Sequence, residues 1–144
     1  MATYSAGQLV TSAEINANIC KLLAARGSTA SATVTTSVAD LDGCTLTFST
    51  PEANTKVLVT GSFDAEISAA GDTFTGILDV DGSDQTAKAQ LNGDARATVV
   101  QQWLITLASA GSHTLKLQVQ KSGTANTVTI YSGSYISIVG NGLT

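Results

Sequence analysis

Residues 99–119, VVQQWLITLASAGSHTLKLQV, decide how the chain is to be read. Val99, Trp103, Ile105 and Leu107 occupy alternate positions, and Leu115, Leu117 and Val119 alternate with Thr114, Lys116, Gln118 and Gln120. A period of two puts one face of an extended strand into a core and the other toward water or a partner. Ser109-Ala110-Gly111-Ser112 between them is a small-residue reversal, with Gly111 free to take positive φ. The spacing predicts two strands joined as a hairpin.

Working outward, the same alternation recurs. Val57, Val59, Gly61, Phe63, Ala65 and Ile67 share one face of a strand, and Thr60, Ser62, Asp64 and Glu66 the other. Cys44, Leu46 and Phe48 alternate ahead of Pro51, Phe74, Gly76, Leu78 and Val80 ahead of Asp81-Gly82, and Val128 through Ile138 closes the chain. Weaker strands are expected over 33–38 and 86–91, with Asp42-Gly43, Gly71-Asp72, Asp81-Gly82 and Asn92-Gly93 as turns. Strands of this length with turns every ten residues or so mean a sandwich or barrel. About eight antiparallel strands is the jelly-roll number.

Ahead of the strands, residues 1–27 read as an arm followed by one amphipathic helix. Thr11 and Glu14 form a capping box, Val10 and Ile15 a hydrophobic staple, and Gly27 a C-cap. Ile15, Ile19, Leu22 and Leu23 fall on one helical face. Such a helix is marginal alone in water, so its stripe needs a surface to lie on. Residues 28–31 are a linker, and 32–144 the β domain.

Composition narrows the function. Only 12% of the 144 residues are charged, and the net charge is −4 with seven Lys plus Arg, which argues against nucleic-acid binding. No run approaches the roughly 18 apolar residues of a membrane span, and the first residues lack a signal-peptide layout. A soluble product made in the cytoplasm is expected. Cys20 and Cys44 lack metal or redox spacing and read as small buried hydrophobes.

No catalytic constellation emerges, and no cofactor is expected. His113, the only histidine, lies beside a turn without a nucleophile context and reads as a structural hydrogen-bonding group. Asp64 and Glu66 share a strand face, as glycosidase carboxylates do, but read as solvated acids. Asp79, Asp81 and Asp84 form D-x-D-G-x-D, which departs from the EF-hand order and leaves only a weak calcium candidate.

The late strands carry apolar groups on both faces. Val100, Leu104, Tyr131, Tyr135 and Val139 lie opposite the inward set, the pattern of an oligomer interface.

Residues 56–62 (KVLVTGS), 77–82 (ILDVDG), 107–118 (LASAGSHTLKLQ) and 134–140 (SYISIVG) resemble the C1q/TNF-like jelly roll of bacteriophage structural proteins. Residues 4–16 (YSAGQLVTSAEIN) resemble a short N-terminal segment of phage tail and virion-associated proteins. The resemblance implies a non-enzymatic virion protein whose jelly roll forms a homotrimer. Its partner would be the major capsid or a tail protein, and Tyr4, Val10, Ile15, Ile19, Leu22 and Leu23 would anchor it to the particle. Small size and the lack of a fibrous shaft favour capsid decoration. The alternative is a tail-associated knob binding a receptor or host-surface glycan through residues 81–85 and 92–96. The single tryptophan, Trp103, lies in mid-strand and is poorly placed to stack on a sugar.

Overall fold

The computed structural model describes residues 20–141 and residue 143. Eleven strands run in chain order: β1 (Cys20–Gly27), β2 (Ala32–Thr33), β3 (Ala39–Thr50), β4 (Thr55–Ile67), β5 (Thr73–Val80), β6 (Ser83–Asp84), β7 (Ala89–Asn92), β8 (Arg96–Leu107), β9 (Gly111–Lys121), β10 (Val128–Ile130) and β11 (Tyr135–Asn141). Three neighbouring pairs are successive segments of one interrupted strand. β10 and β11 both lie against β4, β2 and β1 continue along β10 and β11, and β6 and β7 both lie against β5.

Eight strands in two antiparallel sheets result. One sheet runs β1/β2, β10/β11, β4, β8, and the other β3, β9, β5, β6/β7. In chain order these are strands 1-8-3-6 and 2-7-4-5, the interleaving of a jelly roll.

The strand β4 (TKVLVTGSFDAEI) shows why the sheets pack as they do. Val57, Val59, Phe63, Ala65 and Ile67 are buried on its inner face, while Lys56 and Leu58 are exposed on the other. Facing it across the core lie Leu115, Leu117, Phe74 and Leu78 from the second sheet. Glycines admit the large rings. A Cβ on Gly76 would stand 2.6 Å from the Phe63 ring, and one on Gly61 2.9 Å from Leu117 and Trp103. Phe63 and Phe74 meet edge to face with centroids 5.7 Å apart.

Four expectations are corrected. Residues 20–27 are not the second half of a helix but strand β1, paired with β11 from Cys20↔Asn141 to Gly27↔Tyr135. Long-range pairing outweighs the helical stripe there, because β11 otherwise leaves its outer hydrogen-bonding edge open. The helix start at Thr11 and the residues up to Ile19 lie outside the described part. Second, strands β8 and β9 do not form a hairpin. Each belongs to a different sheet, and the chain crosses between them at residues 108–110.

Third, the strand expected over 33–38 shrinks to Ala32–Thr33, after which the chain crosses to the second sheet. Fourth, Asp42-Gly43 is not a turn but an irregularity inside β3, where the register shifts between Asp40 and Thr45 and Gly43 takes φ 75°. Asp81-Gly82 is the hairpin turn expected, with φ of 52° and 85° as a type I′ turn requires.

Gly76→Ala is predicted to destabilise the fold by about 1–3 kcal/mol, because the Phe63 ring has no room to retreat. A urea denaturation midpoint equal to that of the parent would contradict this packing.

Candidate functional site

The feature that stands out is the outer face of the β1–β11–β4–β8 sheet. Direct register partners carry an apolar row across all four strands: Leu22 beside Val139, Val139 beside Leu58, Leu58 beside Leu104. Leu22 is 67% exposed, Leu104 71% and Leu58 38%. A second, broken line runs Tyr135, Ser62, Val100, with Tyr135 40% and Val100 54% exposed. Ser137, Thr60 and Gln102 lie between the two lines. An outer sheet face of a sandwich is ordinarily polar, so a contiguous apolar row makes this face the candidate site.

Of the expected interface residues, Val100, Leu104, Tyr135 and Val139 lie on this face together. Tyr131 lies at its polar end. There Arg96 donates to both Asp64 carboxylate oxygens at 2.9 and 2.7 Å, and its guanidinium lies 3.7 Å over the Tyr131 ring. The Tyr131 hydroxyl in turn donates to Glu66. The Arg96 hydrogen bonds hold the Asp64 carboxyl below its ordinary value. Both acids of the glycosidase-like pair are thus engaged by neighbours.

Sequence reasoning missed Leu58 and placed Leu22 on a helix. Leu58 sits on the even positions among Thr60, Ser62, Asp64 and Glu66, so a single apolar residue in a polar set was the available signal. Leu22 belongs to this face as a strand residue. Of the other proposed anchors, Tyr4, Val10, Ile15 and Ile19 and the Leu23 side chain lie outside the described part.

At one end of the sandwich, His113 ties two turns together. Its Nδ1 lies 2.7 Å from Asp81 Oδ2 and its Nε2 3.1 Å from the Ser109 carbonyl. The Thr114 backbone N–H donates to Asp81 Oδ1 at 2.8 Å. A carbonyl and an ionised carboxylate only accept, so both ring nitrogens are best served carrying hydrogen. The hydrogen bond to Asp81 accordingly raises the His113 pKa above 6.5. Burial opposes ionisation of Asp81, but the bonds from His113 and Thr114 leave its pKa below 3.8.

Asp79 accepts from the Gly82 N–H at 3.1 Å, and Asp84 is exposed. Asp79 therefore serves the turn and Asp81 ties it to His113, while Asp84 stands apart in solvent. Among the described residues no group of three or more His, Cys, Asp or Glu is placed to hold a metal ion.

Trp103 is buried and donates its indole N–H to the Ala87 carbonyl at 2.7 Å, so it offers no stacking face to a sugar. Cys44 is buried with Sγ 3.7 Å from the Ser134 carbonyl, and burial pushes its thiol up to about 11. Little of it is thiolate at neutral pH. A cleft of about 210 Å³ opens between β2 and β3, walled by Val34, Leu41, Val119 and Ile130. The Asp40 carboxylate beside it is taken up by Lys116 and Gln118. Among the described residues no helix is long and apolar enough to cross a membrane.

No protein-family model matches the chain, and no curated protein matches it. Among solved structures it is similar to dimeric latent PorU from Porphyromonas gingivalis, with TM-score 0.51, 16% identity, and coverage of 99% of this chain and 14% of that one. It is also similar to a structure of the infectious bursal disease virus Gt strain, with TM-score 0.50, 12% identity, and coverage of 99% and 38%. Eiger TNF from S. frugiperda aligns at TM-score 0.43 and 7% identity over 83% of this chain and 93% of that one. The chain spans only a small part of the first two. At these identities the likeness is one of fold: an all-β sandwich.

The latch gives a pH dependence of defined sign. A raised folded pKa for His113 contributes stability that is complete below 6.5 and is lost as pH rises through the raised value. The lowered Asp81 value contributes above 3.8 and is lost as pH falls through it. Stability of the parent relative to His113→Gln, measured by denaturation from pH 5 to 9, should therefore shrink at the alkaline end. A constant difference across that range would contradict the latch.

Proposed function

We propose that this protein is a non-enzymatic structural protein of a bacteriophage virion, a capsid decoration protein that works as a homo-oligomer. The observation that carries the reading is the apolar row Leu22–Val139–Leu58–Leu104 on the outer face of a sandwich sheet. A face of this kind is stable in water when a neighbour covers it, and the trimer implied by the sequence resemblance would place three such faces about one axis. Placement on a phage particle is supported by the likeness of residues 4–16 to N-terminal segments of virion-associated proteins.

Mechanically, each copy contributes a weak attachment through residues 1–19 and a cohesive face through the sandwich. Tethering several attachments in one oligomer raises effective concentration, so avidity exceeds the affinity of a single arm by orders of magnitude. A decoration protein acting this way bridges neighbouring capsid subunits and resists outward pressure on the shell. No step of this scheme requires a bound ion, a nucleophile or a cofactor.

Leu58→Lys places a charge in the centre of the row without touching the core. Light scattering should then show a smaller assembly than the parent's, while the far-ultraviolet spectrum stays that of a sandwich. An unchanged oligomer would refute the face assignment. Deleting residues 1–19, which stops short of β1, should leave the oligomer intact and abolish binding to particles. Undiminished binding would refute the anchor.

A further inference from the structure

The four sheet edges are not treated alike. The β1/β2 edge is shifted in register between Leu22 and Ala24 and interrupted between Gly27 and Ala32. Strand β3 is shifted between Asp40 and Thr45 and carries the charges of Asp40 and Asp42. The β6/β7 edge is built of segments two and four residues long. Bulges, charges and short strands are the devices by which sandwiches blunt their edges.

Strand β8 has no bulge, is not short and carries a charge only at its end. It pairs with β4 over twelve consecutive positions, from Arg96↔Glu66 to Leu107↔Thr55, without a register shift. Its sequence RATVVQQWLITL has no proline, no glycine and no lysine, and its one charge stands at the first residue. Among the described residues no strand pairs with its other side. At its middle, the Gln102 carbonyl accepts a hydrogen bond at 2.8 Å from the side chain of the adjacent Gln101. That bond takes one of the carbonyl's two lone pairs and leaves the other for an N–H of a pairing chain.

We infer that β8 pairs antiparallel with β8 of a second copy across a two-fold axis at Gln102, joining two four-stranded sheets into one. The side chains select this register. With Gln102 opposite its own copy, exposed Val100 falls opposite Leu104, and on the inner face Val99 falls opposite Ile105 and Ala97 opposite Leu107. Thr98 meets Thr106, and Arg96 lies beyond the paired stretch, so no like charges oppose. Cross-strand apolar and Thr–Thr pairs of this kind are what stabilise a ladder. A shift by one residue would set outward side chains against inward ones.

The contact goes beyond the proposed function and does not compete with it. Edge hydrogen bonds lie in the plane of the sheet, while the apolar row faces perpendicular to it. The pairing also sets Leu104 of one copy beside Val100 of the other, joining their two apolar faces. In a decoration layer, face contacts would build the oligomer and β8 edges would link one oligomer to the next.

The test is site-directed disulfide formation in the full-length protein with Cys20→Ser, using diamide as oxidant. Thr98, Gln102 and Thr106 are all exposed, so replacement leaves the core intact. Directly opposed residues have Cα atoms about 4.5–5.5 Å apart, within disulfide reach. Gln102→Cys should convert most of the protein to a covalent dimer. Thr98→Cys and Thr106→Cys should give none separately, being roughly 26 Å from their own copies at eight residues of offset, and should cross-link when mixed. Absence of a Gln102→Cys dimer, or dimers from Thr98→Cys alone, would overturn the inference. So would a Gln102→Cys disulfide formed only with a different protein of the particle. Adding Leu58→Lys removes the face contact and should leave the Gln102→Cys dimer in place, which separates failure of the edge from failure of the face.

Discussion

Everything in this sandwich depends on β4 being paired along both sides. Its one flank takes β8 from end to end, and the other takes β11 and then β10, with residues 131–134 as the break between them. Its backbone demand is met by these strands and, at the break, by the Ser134 hydroxyl and the Tyr131 N–H on Asp64, and its side chains divide between core and surface. Inward, Phe63 fills the space that Gly76 leaves open across the core. Outward, Leu58 stands at the centre of the apolar row. One strand thus fixes both the packing of the fold and the face that the fold presents.

The two surfaces of the β1–β11–β4–β8 sheet differ in what they ask of a neighbour. The outer face offers apolar area without direction, and association there is driven by removal of that area from water. The β8 edge offers directional hydrogen bonds in a single register. In the proposed assembly the face would set how strongly copies cohere, and the edge how they are aligned. At the far end of the sandwich the His113–Asp81 latch does a different job, holding the β5–β6 turn against the start of β9.

The parts legible in the sequence are those governed by local alternation. The inward set Val57 to Ile67, the pair of runs around Ser109–Ser112 and the Asp81-Gly82 turn were all readable, because a period of two and a positive-φ dipeptide act over a few residues. What misled was everything settled at long range. Residues 20–27 have helical spacing, yet their backbone pairs with β11 more than a hundred residues away. Asp42-Gly43 has turn chemistry but sits where a strand must kink, so the same φ serves an irregularity in β3. The strands 99–107 and 111–119 alternate as a hairpin would, and nothing local says that they part into different sheets.

The candidate face was half legible for the same reason. Val100, Leu104, Tyr135 and Val139 announce themselves as apolar residues on the wrong parity of a strand. Leu58 is only one such residue in its strand, and Leu22 belongs to a segment whose strand character is itself a long-range outcome. The row becomes visible only when register places the four side by side.

The most direct test of the account is a cryo-electron microscopy map of the protein in its native particle. The account predicts that Leu22, Leu58 and Leu104 lie buried against another protein chain. A map showing that face open to solvent, with all neighbours meeting the β3–β9–β5 sheet instead, would contradict it.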